Sequence, residues 1–118
     1  GAVNVRVDYH DLTPLVAATV EARHDVVRLL CDAGADKDIA DTWGDTALIS
    51  ASEMGYVEIV QTLCEAGAYK DKKGDEGKTA LCAAMIEGHA GVQRVLLEAG
   101  AMDGEELFEK ESLESAVD

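Results

Sequence analysis

One 23-residue stretch occurs three times in this chain, at a constant spacing of 33 residues and with no insertion between copies. The copies run from Thr13 to Ala35, from Thr46 to Ala68 and from Thr79 to Ala101. Seven columns are identical in all three: Thr13/Thr46/Thr79, Leu15/Leu48/Leu81, Ala18/Ala51/Ala84, Leu30/Leu63/Leu96 and the closing Ala-Gly-Ala triplet. This period constrains the fold more than composition does, because a unit of 33 residues cannot bury its own apolar face. It must stack on a neighbour, and the stack supplies the core.

Each repeated column has a mechanical reading. Threonine ahead of an apolar run is a helix N-cap, its hydroxyl accepting from an otherwise unpaired backbone N–H. Pro14, the single proline, falls at the first helical position, where its missing N–H costs nothing. The short helix that follows has Leu15 and Ala18 on one face. Its small residues (Ala17, Ala18, Ala51, Ala83, Ala84) allow close approach of two helix axes. Gly55 and Gly88 then break the run, and Ala22 holds that place in the first copy. A second helix is expected to carry its core stripe on Val26, Leu29 and Leu30, then Ile59 and Leu63, then Val92, Val95 and Leu96. Gly34, Gly67 and Gly100 stop it. The polar residues that remain, such as Asp36 to Asp45, form an extended turn leading to the next threonine.

Thr-Pro-Leu at the head of a 33-residue period, with Leu30 and Gly34-Ala35 at its tail, resembles the ankyrin repeat. Two residues ahead of each threonine the family favours glycine, matched by Gly44 and Gly77 and replaced by Asp11. Five ahead it favours aspartate, matched by Asp8 and Asp41 and replaced by Gly74. The family's histidine after Thr-Pro-Leu gives way to Val16, Ile49 and Cys82. Gly1-Ala2 matches the tail of a preceding repeat, so the resemblance covers residues 1 to about 104. It implies an all-α solenoid of stacked helix-turn-helix units with projecting β-turn fingers. The first helices would line a concave surface beside the row of fingertips. The expected organisation is a partial repeat at 1–12, repeats at 13–45, 46–78 and 79–102, and an acidic capping helix and tail at 103–118.

Composition limits the partners. With 24 acidic and 10 basic residues the net charge is −14, which repels phosphate and argues against nucleic acid. No apolar run approaches the roughly 18–20 residues that span a bilayer, so direct membrane insertion is not expected. Three cysteines, Cys31, Cys64 and Cys82, cannot all pair, and they suit a reduced setting: intracellular and soluble, with cytoplasm favoured over nucleus or organelle interior. His10, His24 and His89 lie in different repeats with no metal spacing, and no nucleophile–base set or phosphate loop stands out. No catalytic residue, metal or cofactor is therefore expected.

The resemblance also implies where a protein partner would sit: on the fingertip residues before each threonine and on two positions near the end of each first helix. By register these are Tyr9, His10, Leu12, Val20 and Glu21; Thr42, Trp43, Asp45, Glu53 and Met54; and Asp75, Glu76, Lys78, Ile86 and Glu87. Tyr9, Trp43, Met54 and Ile86 stand out, being apolar or aromatic where such a fold needs none. Tryptophan and tyrosine are enriched at interface hot spots. Trp43 has two readings, cover over the neighbouring hairpin or partner contact, and the second is favoured. Met54 and Ile86 are evenly divided between partner contact and the inter-helix groove. Lys70, Lys72, Lys73 and Lys78 against Asp71, Asp75 and Glu76 read as a mixed, solvated turn. Residues 103–118 hold seven acids and one lysine, nearly half of the net charge, and Leu107 and Phe108 are placed to cover the last hairpin. Val3, Val5 and Val7 suit a finger strand and leave the first hairpin without an upstream cover, so earlier repeats or another subunit are expected there. The function expected is that of a protein-binding adaptor or scaffold. The alternatives are a structural subunit or spacer of a large assembly and a regulatory segment of a longer enzyme.

Overall fold

The structure, a computed structural model, describes residues 13–100. Within them three helix pairs follow one another: α1 (Pro14–Val20) and α2 (His24–Asp32), α3 (Ala47–Met54) and α4 (Val57–Glu65), α5 (Ala80–Glu87) and α6 (Ala90–Glu98). Among the described residues there is no strand. The expected capping helix at 103–118 and the partial repeat at 1–12 lie outside the described residues.

The helix starts follow the threonines. Thr13 Oγ1 accepts from Val16 N at 3.2 Å, Thr46 Oγ1 from Ile49 N at 3.3 Å and Thr79 Oγ1 from Cys82 N at 3.2 Å. All three hydroxyls are buried, so each cap also removes a desolvated donor from the list of unpaired groups. Pro14 occupies the first turn of α1. The second helices end at left-handed Gly34, Gly67 and Gly100, and Ala35 N and Ala68 N reach back to Leu30 O and Leu63 O at 3.0 Å.

The core lies between the two layers of helices. Leu15, Leu48, Leu63, Leu96, Val27, Val60 and Val92 are fully buried, with alanine at Ala47, Ala51, Ala80 and Ala84. Each buried leucine contributes about 1.5–3 kcal/mol by leaving water. Alanine at the contacts lets neighbouring first helices pack more closely than neighbouring second helices do. That asymmetry makes the stack hollow on the first-helix side.

One expected core residue is misplaced by the sequence pattern. Leu29 is 66% exposed, and its neighbour Val27 is fully buried instead. In register, Leu29 corresponds to Thr62, which faces the preceding helix: His24 Nε2 hydrogen-bonds to Thr62 Oγ1 at 2.7 Å, and Arg28 Nη2 donates to the same oxygen at 3.5 Å. Leu29 therefore lies on the upstream side of α2, while Val27 and its counterpart Val60 point between the layers.

Repeats are also tied at their hairpin turns. His89 Nε2 donates to the Glu53 carbonyl oxygen at 2.8 Å. Gly55, left-handed at φ +76, lies directly against this imidazole, and a Cβ there would fall 2.7 Å from His89 Nδ1. The Gly-His wording of the third repeat is thus a structural brace that needs glycine in the second.

Candidate functional site

The fingers are built by reciprocal backbone bonds. In the first, Asp41 N donates to Asp45 O at 3.0 Å and Gly44 N to Asp41 O at 3.0 Å, closing a five-residue tip over Asp41–Asp45. In the second, Gly74 N donates to Lys78 O at 2.8 Å and Gly77 N to Gly74 O at 3.1 Å. The first tip has a further support: Asp41 Oδ1 accepts from both Trp43 N and Asp45 N at 2.9 Å. The second has glycine at the equivalent place, for a reason visible only in three dimensions. A Cβ on Gly74 would fall 2.9 Å from Gly44 O, 2.8 Å from Asp45 Oδ1 and 2.9 Å from Ile49 Cδ1. The second finger sits against the first, and aspartate there has no room. Its own tip turns through Glu76, held left-handed at φ 58.

The lysines of the second finger are only partly the solvated turn expected of them. Lys72 Nζ donates to Asp38 O at 2.7 Å, and Tyr69 N donates to Asp38 Oδ1 at 2.9 Å, pinning one finger to the next. Lys78 Nζ lies 3.6 Å from Glu76 Oε2.

Of the expected binding residues, Trp43 is 52% exposed, Met54 41% and Ile86 61%. Thr42, Glu53 and Glu76 are exposed, while Asp45 and Lys78 are half-buried at the foot of their fingers. Asp75 is placed at the second tip. Tyr9, His10 and Leu12 lie outside the described residues. The charges of both fingers and of the next first helix act together on Glu53. Partial burial pushes the Glu53 carboxyl above its ordinary range, and Asp45 pushes it further; Glu87 and Asp41 add to this and Lys78 opposes it. A side chain at the end of α3 thus feels both fingers and the next first helix.

Sequence reasoning missed Met85, which is 54% exposed. Its counterparts Thr19 and Ser52 are fully buried, so the register of the repeat points to a buried residue there. No signal in its own repeat marks it.

Other chemistry is sparse. A cavity of about 290 Å³ at the hairpin turns is lined by Ala22, His24, Gly55, Tyr56, Val57, Glu58 and Ile59, but His24 Nε2 is engaged by Thr62. Cys31 and Cys64 have thiols pushed up chiefly by burial, the opposite of an activated nucleophile. Among the described residues no three His, Cys, Asp or Glu side chains gather as metal ligands, and no helix is long and apolar enough to cross a membrane.

Capped helix pairs, left-handed glycine stops and closed fingers, stacked at 33-residue intervals, define a repeat solenoid. The family model for ankyrin repeats (3 copies) matches residues 2–74 and 38–106, and the chain belongs to that family. Ankyrin repeats are generally protein–protein interaction modules and typically non-enzymatic. No curated protein matches the chain.

Proposed function

We propose that this chain is an adaptor or scaffold module that docks a protein partner in the hollow between its fingertips and the ends of its first helices. The observation that carries this is the exposure of Trp43, Met54 and Ile86 around that hollow, at positions where the stack itself needs no apolar group. Thr42, Asp45, Glu53, Glu76 and Lys78 add polar groups among and around them. Large exposed apolar side chains set among polar and charged ones suit a protein interface. If Trp43 is an anchor, Trp43→Ala costs about 2 kcal/mol or more of partner affinity with little change in the unfolding midpoint. Calorimetric titration of a co-purified partner, alongside thermal unfolding of the same variant, tests this. Lost stability with unchanged affinity would make Trp43 a cover for its own hairpin.

A second reading, a structural subunit held through the ends of its stack, is favoured by Leu29, which exposes an aliphatic side chain on the upstream side of α2. Sedimentation of the chain and of Leu29→Gln separates the two: an assembly that dissociates only in the variant supports the structural role.

A further inference from the structure

The first helices contain no lysine, arginine or histidine, and neither do the residues that cap them. Their well-exposed positions form two adjacent columns plus Met85. One column reads Val20, Glu53, Ile86 and the next Glu21, Met54, Glu87. Each repeat therefore offers one apolar and one acidic side chain, and the middle repeat offers them in reverse order. Acidic and apolar groups alternate both along and across the floor of the hollow. The arginines of the described residues lie elsewhere: Arg28 on α2, Arg23 just ahead of it, and Arg94 on α6. Around Glu53 the carboxylates of Asp45, Glu87 and Asp41 face one opposing cation, Lys78, which already neighbours Glu76.

We infer that the occupant of this hollow is a cationic amphipathic protein segment, presenting lysine or arginine between apolar side chains. This deepens the docking function proposed above and rests on it. An uncharged apolar segment would desolvate Glu53 and Glu87 without pairing them, which is costly. An acidic segment is repelled, and a purely basic one leaves Met54 and Ile86 in water. Lysine and arginine meet both demands, with apolar stems against the aliphatic positions and charged heads on the carboxylates. Neighbouring helices in such packing stand about 8–10 Å apart, so one repeat matches about three residues of an extended segment. Because the middle repeat inverts the order, a segment displaced by one repeat meets acid where it needs apolar surface.

The test is selection on the full 118-residue chain from a displayed library of random peptides of about 16 residues, with the enriched peptides then synthesised and titrated. Enriched peptides are expected to carry net positive charge and several large apolar residues. Glu53→Gln with Glu87→Gln, and separately Met54→Ser with Ile86→Ser, should each weaken them at least about tenfold. Glu65→Gln with Glu98→Gln, on the second helices, should leave binding within about twofold. The Glu53→Gln variant should melt no lower than the parent. Its carboxyl is raised, so ionisation at neutral pH disfavours the folded state and the amide removes that cost. Neutral or acidic peptides that still depend on Met54 would overturn the cationic inference and leave the docking surface standing. Peptides indifferent to every first-helix substitution, or a selection that enriches nothing, would overturn both.

Discussion

Asp41 organises a whole fingertip with one oxygen. Its Oδ1 takes the N–H groups of Trp43 and Asp45, so the indole is carried on a loop whose backbone is pinned from inside. Asp41→Ala frees both donors and should cost about 1–2 kcal/mol, with the Trp43 emission shifting toward that of a solvated indole. Asp41→Asn keeps an acceptor and should lose less; equal losses in the two variants would mean the carboxylate oxygen is not the support. At this scale the sequence was partly legible. Threonine caps and glycine stops could be read because each is decided within three to five residues of itself. Gly74 could not: it departs from the aspartate expected there because Gly44 and Asp45, some thirty residues earlier, fill the space a side chain would need. Met85 was missed because its counterparts in the first two repeats are buried.

Among the elements, the helix hairpins show what a single departure from the repeat does. Gly55 and Gly88 turn through left-handed backbone, and Ala22 makes the same turn at φ 60 with a Cβ in place. That conformation costs an L-residue about 1–2 kcal/mol, partly offset by the extra chain entropy glycine carries in the unfolded state. Ala22→Gly should therefore stabilise the chain by about 0.5–1 kcal/mol, read as a higher urea midpoint at unchanged slope. A lower midpoint would show that the alanine methyl contributes packing that outweighs its backbone. Helix existence and order followed directly from the periodicity, whereas helix rotation did not. Spacing of i, i+3, i+4 is satisfied by Val26, Leu29 and Leu30, yet the buried residue is Val27. Two stripes one residue apart both look apolar on α2, and only the neighbour that polar Thr62 meets shows which way the helices face. The candidate site was legible to the same degree. Register marked Trp43, Met54, Glu53 and Ile86 as surface positions, and they are exposed, but the pressure on the Glu53 carboxyl depends on fingers and helices brought together by folding.

For the molecule as a whole, a net charge of −14 opposes compaction. Raising the salt concentration should lift the melting temperature by screening that self-repulsion. A flat or falling value would indicate that the charges are already balanced by local pairing. Solenoids of this kind are often treated as beads that unfold from their ends, one repeat at a time. The ties between repeats argue for less independence here. Tyr69 and Lys72 fasten the second finger to Asp38, Thr62 receives His24 across the second helices, and His89 bolts the third repeat to the turn of the second. The first and second repeats are thus fastened both at their fingers and at their second helices, and the second and third at a hairpin turn. To pull the first two repeats apart, a force would have to break the finger tie and the helix tie together, so the two are expected to come loose as one unit and not as separate beads.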